Sequence, residues 1–293
     1  MNKKTADLVL AFVAMIWGTG FVASQMALDG GMSPFQMMTY RFFIASLLMV
    51  VIFWKEFKKV TWAEIKAGSI IGFFLFGAFA FQTIGLQYTT PSKNAFLTAT
   101  NVVIVPFLYW VMLKKKPDKH SMIGAILTVT GISFLTLEGS FGIKTGDLLT
   151  LICALGFAMH IISIGYYTEK YSPIKLTIIQ MIVAFIFSAI SLLFTRDAAP
   201  LTSKGSFAVI YLGVVSTTLA FLLQNIAQKY SNATKTAIIL STEAMFGTLA
   251  SVIFLNEKLT LNMIIGCSII FLAIIITETK LSFIKNSKKN FVS

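Results

Sequence analysis

Apolar residues fall in long runs separated by short polar gaps. Ten runs can be drawn: Ala6–Leu28, Phe35–Trp54, Ile65–Leu86, Asn94–Leu113, Ser121–Leu137, Asp147–Thr168, Ile174–Thr195, Gly205–Ala227, Ala233–Leu255 and Leu261–Thr277. Each is close to the roughly 20 residues that carry a helix across a bilayer. Turn and helix-start residues mark the gaps: Gly30-Gly31 with Pro34, Pro91, Pro117, Ser172-Pro173 and Ala199-Pro200. The gaps leave no room for a soluble domain. The pattern predicts an all-α integral membrane protein with ten transmembrane helices. The first run follows Lys3 and Lys4 as a signal peptide would. It is longer than a signal core and lacks a small-x-small cleavage site, so it reads as a retained helix.

The pattern repeats. Shifted by 142 positions, Gln82–Gly124 lies on Gln224–Gly266 without a gap. Gln82 meets Gln224, Tyr88 meets Tyr230, Lys93 meets Lys235, Ala95 meets Ala237 and Ile123-Gly124 meets Ile265-Gly266. Asp7-Leu8 likewise aligns with Asp147-Leu148. The chain is thus five helices, twice, with repeats at 6–138 and 146–279 and a basic tail at 280–293. An odd number of crossings gives the copies opposite orientation. Inverted repeats are a signature of secondary transporters, whose site lies near the midplane between the halves.

Charge fixes an expected orientation. Only 12% of residues are charged, about half the share in soluble domains. The formal net charge of +12 could suggest nucleic acid, but the basic residues sit in the gaps, as in loops at an anionic membrane surface. Nucleic-acid binding is therefore not expected. With the N-terminus inside, the inner gaps and termini hold eighteen lysines, the outer gaps Lys93, Lys144, Arg196, Lys204 and Lys258. This bias puts both termini in the cytoplasm. The loop after the fourth run, Lys114-Lys115-Lys116-Pro117-Asp118, is basic; its copy, Asn256-Glu257-Lys258-Leu259-Thr260, is not. Opposite membrane sides would produce that difference. Cys153 and Cys267 lie inside apolar runs with no CxxC or Cys/His cluster, so neither a disulfide framework nor a metal site is expected.

These residues resemble the drug/metabolite transporter superfamily, EamA type, over essentially the whole chain as two tandem units. Trp17-Gly18 is similar to the family's opening motif, and Pro34 followed by Arg41 to its next. Gly85-Leu86-Gln87-Tyr88-Thr89-Thr90, Ala95, Pro106, Gly124 and Gly131 resemble the closing half of the repeat. Leu255-Asn256-Glu257-Lys258-Leu259-Thr260 matches the family's glutamate-containing loop. The first copy has lysines there, Thr248 replaces the proline of the second copy, and the sixth helix lacks Trp-Gly. The resemblance implies a carrier of the bacterial cytoplasmic membrane, monomeric or homodimeric, with a central cavity. The first, third, fourth, sixth, eighth and ninth helices would line it, and the fifth and tenth would be peripheral. It implies small metabolites as cargo, often amino acids, and often export.

Candidate site residues follow from polarity at depth. Glu243 is the only Asp or Glu well inside a run, and a carboxylate at bilayer depth is costly enough to point to function. It could exchange a proton, neutralise an amine-bearing cargo, or simply bond a facing helix. The repeat sets Asn101 at its equivalent position. Asn94, Thr98 and Asn101 form one stripe, which must face protein or water. Pro106 should kink that helix one turn beyond Asn101. His160 lies mid-run, either a satisfied core residue or, facing Glu243, part of a proton relay. Arg41 lies seven residues from the outer end, roughly 10 Å deep. It could snorkel outward, pair with Glu243, or grip a substrate carboxylate. Gln82 and Gln224 are equivalent amides suited to a polar cargo or to helix–helix bonds. Trp17, between glycines and too deep for an interfacial belt, could line a cavity or fill space.

The expected function is secondary active transport of a small polar metabolite by alternating access, with possible proton coupling and no cofactor. No Walker motif occurs, so a gradient must supply the energy. An intramembrane transferase is the rival, but it would want paired carboxylates or a His beside an acid or nucleophile, and no DxxxD, HxxxD or HExxH is present. The same pattern would also suit an importer or facilitator of a cationic amine, a channel, or an assembly protein. An acid isolated at mid-bilayer counts against the last, and no filter motif supports a channel.

Overall fold

The computed structural model describes residues 1–113, 119–136, 144–231 and 233–279. The lysine-rich loop 114–118, the repeat boundary near 138 and the basic tail 280–293 lie outside the described residues. Among the described residues ten helical rods follow in order, with a single helical turn at Trp54–Phe57 between the second and third. They are α1 (Lys3–Asp29), α2 (Pro34–Ile52), α3 (Trp62–Leu86), α4 (Pro91–Ala99 continued by Asn101–Leu113) and α5 (Lys119–Thr136). The second half holds α6 (Thr145–Thr168), α7 (Pro173–Thr195), α8 (Ser203–Gln228), α9 (Ala233–Ser241 continued by Glu243–Leu255) and α10 (Leu261–Thr279). No strand occurs among the described residues. Eight rods are long and apolar enough to cross a bilayer; α5 and α10 offer the shorter apolar stretches Met122–Gly131 and Leu261–Ala273.

Local chemistry sets the helix starts. Ser33 and Gln36 form a capping box around Pro34, and Thr61 and Glu64 form a second. Asn2, Thr90 and Thr202 each accept a backbone N–H of the following turn. These contacts satisfy backbone N–H groups that a helix start leaves without an intrahelical partner. The large side chains left outside, among them Phe43, Leu47, Phe73, Phe194, Phe207 and Phe254, form the surface a lipid would cover.

The packing scheme survives exchange of the two halves. α1 packs on α9 as α6 packs on α4; α2 packs on α8 as α7 packs on α3; α2–α7 and α5–α10 map onto themselves. Side-chain bonds repeat on opposite faces as well. Gln36 Nε2 donates to the Ala199 carbonyl at 2.7 Å, on the face where α2 begins. Lys175 Nζ donates to the Lys59 carbonyl at 2.8 Å, on the face where α1 and α7 begin. Ten helices in two inverted five-helix repeats are the architecture.

Glycines set the closest approach. A Cβ on Gly18 would lie 2.5 Å from Phe246 Cβ and 2.7 Å from the Gly247 nitrogen. Small residues let membrane helices approach backbone to backbone in this way. Gly18→Leu is expected to destabilise the α1–α9 contact by on the order of 3 kcal/mol. Thermal unfolding in detergent, read as loss of the monodisperse size-exclusion peak, checks it. An unchanged midpoint would mean the helices can separate freely.

Candidate functional site: a polar cavity between the halves

Two helices are interrupted at equivalent places. Thr100 in α4 has φ −63° and ψ −12°; Thr242 in α9 has φ −64° and ψ −11°. Each threonine hydroxyl donates to the carbonyl three residues back, Leu97 and Ile239, at 2.7 Å. Such back-bonding tightens a helix turn locally and interrupts the regular ladder. Each interruption is followed by the residue singled out from sequence: Asn101 in one half, Glu243 in the other. Pro106 is not where the interruption falls. It lies inside the helical piece Asn101–Leu113, and α9, interrupted in the same way, has no proline there.

Trp17, Arg41, Gln82, Asn101, His160, Gln224 and Glu243 all line one cavity. Its walls come from α1, α3, α4, α6, α8 and α9, and from α2 through Arg41. Among the described residues none of α5 or α10 lines it, and these two helices pack on each other.

Arg41 is 2% exposed, so it does not snorkel. Its Nε donates to Thr217 Oγ1 at 3.0 Å, and its guanidinium carbon sits 4.2 Å from the centre of the Phe79 ring. Among the described residues it forms no ion pair, with Glu243 or any other acid. Glu243 is buried, and among the described residues its carboxylate has no hydrogen bond or ion pair. One cavity therefore holds a basic and an acidic side chain, neither with a counter-charge among the described residues.

His160 bonds Gln180 Oε1 through Nε2 at 3.0 Å, and its ring meets the Phe157 and Phe221 rings edge on. No hydrogen bond joins it to Glu243. Trp17 donates through Nε1 to the Ser216 carbonyl at 2.9 Å, and its ring lies 4.8 Å from that of Phe221. Gln82 donates to Thr98 Oγ1, and Asn94 to Thr150 Oγ1. The polar stripe of α4 is thus divided: Asn94 and Thr98 tie helices together, and Asn101 faces the cavity. Among the described residues Asn101 Oδ1, Gln224 Oε1 and His160 Nδ1 have no protein partner. Buried polar atoms are nearly always satisfied, so three such atoms around one cavity suit a polar guest.

Several wall residues carry no signal in the amino-acid pattern. Leu212–Leu219 in α8 winds as a π-helix, and Thr218 Oγ1 bonds the Gly213 carbonyl five residues back. This wide turn brings Ser216 to Trp17 and Thr217 to Arg41. Such bulges are frequent at functional sites. Phe79 and Phe221 are two phenylalanines among 27, and Gln180 is one polar residue in a long apolar run. All three hold cavity side chains in place.

Comparison with known proteins gives a consistent result. The EamA-like transporter family model matches residues 4–137 and again 144–279. An uncharacterised transporter of Archaeoglobus fulgidus is 38% identical over 280 residues, covering 96% of this chain and 88% of its own. The uncharacterised transporter YvbV of Bacillus subtilis is 24% identical, covering 96% and 93%. A protein crystal structure shares the fold at a TM-score of 0.70 with 16% identity, covering 94% of this chain and 98% of its own.

Proposed function

The chain belongs to the EamA-like transporter family, and from that premise we propose that it carries a small zwitterionic metabolite, such as an amino acid, in exchange for a proton. One observation carries this reading: Arg41 and Glu243, each without a protein counter-charge among the described residues, line the same cavity between inverted halves. A cargo with a carboxylate for Arg41 and an ammonium for Glu243 would satisfy both at once. Charge-assisted bonds of this kind are the strong ones in a low-dielectric site. Trp17, Phe79 and Phe221 give the apolar wall usual in small-molecule sites, while Asn101, Gln224 and His160 offer uncharged partners.

Coupling follows from Glu243 serving two ligands. A proton and a cargo ammonium compete for the same oxygens, so binding one releases the other. Carried through alternating access, this competition is antiport. With both termini cytoplasmic, as the lysine distribution argues, the direction is export driven by inward proton flow across the cytoplasmic membrane. Export is also what the family resemblance implies.

The test is a panel in proteoliposomes, with and without an imposed pH gradient. Each amino acid is compared with its decarboxylated amine and its deaminated acid. The zwitterion should move at least about tenfold faster than either, the factor that one lost interaction of roughly 1.4 kcal/mol gives. Amines moving as fast as their parent amino acids would overturn the zwitterion reading and favour a carrier of cationic amines.

A further inference from the structure

Two ion pairs outside the cavity are related by the repeat. Lys93 Nζ lies 3.4 Å from Asp147 Oδ2, and Lys235 Nζ lies 2.7 Å from Asp7 Oδ2. Lys93 and Lys235 are equivalent positions, as are Asp147 and Asp7. The first pair joins the first turns of α4 and α6, where those helices begin. The second joins the start of α9 to the start of α1, on the opposite face. Each pair bridges the two halves, so the halves cannot separate at a face without breaking the pair there.

Each lysine also stands eight residues before a cavity residue, Lys93 before Asn101 and Lys235 before Glu243. At 1.5 Å per residue that is about 12 Å. The interruptions at Thr100 and Thr242 fall just before those cavity residues. Both lysines therefore sit on nine-residue half-helices, Pro91–Ala99 and Ala233–Ser241, that end at a break in the regular ladder.

We propose that these half-helices are the two gates of the carrier, hinged at Thr100 and Thr242 and latched by Lys93–Asp147 and Lys235–Asp7. The latches differ in one respect. Lys93 and Asp147 side chains are 5% and 0% exposed; those of Lys235 and Asp7 are 42% and 28% exposed. Further bonds hold the dry latch: Thr89 Oγ1 donates to Asp147 Oδ1, and Ser92 donates through N and Oγ to Glu257 Oε2. The structure thus has the Lys93 gate sealed and the Lys235 gate in contact with solvent. Breaking a buried pair is costly while its ions stay dry, whereas an opened face hydrates both ions and returns much of that cost. Each latch therefore holds most firmly while dry and gives way more readily once water reaches it.

This proposal rests on the carrier reading, but its test needs neither cargo nor transport. A reporter cysteine, Ser24→Cys, is placed in the cavity wall of a variant carrying Cys153→Ala and Cys267→Ala. An impermeant maleimide is applied to whole cells and to inverted membrane vesicles. Asp147→Asn should raise labelling from outside at least about fivefold, the shift that a bias of roughly 1 kcal/mol gives. Asp7→Asn should raise labelling in inverted vesicles and lower it in cells. The exchange Lys93→Asp with Asp147→Lys should return labelling to the parent level. Unchanged labelling in Asp147→Asn would overturn the proposal. If Asp147→Asn fails to fold on size exclusion, Asp7→Asn decides, because its pair is solvated, and no shift in either preparation overturns the proposal equally. Proteoliposomes that move no zwitterion would sink the cargo assignment while leaving these labelling shifts in place.

Discussion

Glu243→Gln is expected to lower the initial rate of zwitterion transport by roughly 10- to 100-fold, the range that losing one charge-assisted hydrogen bond of about 1.5–3 kcal/mol gives. The residual rate should no longer respond to a pH gradient, because the amide holds no exchangeable proton at physiological pH. The same variant should be at least as stable as the parent. Glu243 is buried without a hydrogen bond or ion pair among the described residues, so replacing its carboxyl breaks no protein contact that holds the fold. Glutamine keeps the shape and leaves the packing as it is. A structural role predicts the reverse, lower stability with transport intact. Initial rates in proteoliposomes and thermal unfolding in detergent, measured on one preparation, separate the two. Native rates with a native pH response would remove Glu243 from the transport cycle.

The asymmetry behind this prediction is partly legible in the chain itself. The 142-residue offset pairs Asn101 with Glu243, because a gapless alignment carries position as well as similarity. It also pairs Lys93 with Lys235, and Asp7 aligns with Asp147, yet sequence alone does not join the lysines to the aspartates. That step needs the order in which helices pack, α4 on α6 and α1 on α9, which hydropathy does not encode. The interruptions are hidden for a physical reason. Proline is a strong local signal and points to Pro106, whereas the cause shared by both halves is a threonine back-bond at Thr100 and Thr242. Similar back-bonds also occur at Thr19, to the carbonyl three residues back, and at Thr177, to the carbonyl four back, inside helices that continue unbroken, so a threonine by itself does not mark a break. The π-helical turn of α8 has no counterpart to give it away, since the equivalent stretch in α3 is ordinary α-helix. Arg41 shows the same division. Counting residues places its side chain along the helix; the rotation of neighbouring helices decides whether it meets lipid, water or the face of Phe79.

Arg41→Met should have the second large effect, and its signature lies in selectivity as well as rate. In the native protein the guanidinium is held by one hydrogen bond and by the Phe79 and Phe42 rings, 4.2 and 5.6 Å away. Nε is taken by Thr217 and one face lies over Phe79, and no acid pairs with it among the described residues. A cargo carboxylate is the partner that fits the unused donors, in the bidentate geometry that arginine favours. Methionine fills similar space without charge. Transport of the zwitterion should fall by about 100-fold, corresponding to roughly 2.7 kcal/mol, mostly through weaker binding. The decarboxylated amine, which never used Arg41, should move as well as it did before, so the preference for the zwitterion disappears. Arg41→Lys keeps the charge but loses the fork, and should retain part of the rate with a raised KM. If Arg41 served only to pack against Phe79 and Thr217, methionine would leave selectivity unchanged and lysine would do no better than methionine. Measuring KM and maximal rate for an amino acid and its amine in all three proteins decides the matter, because a packing defect lowers both cargos alike and loss of a carboxylate site lowers only one.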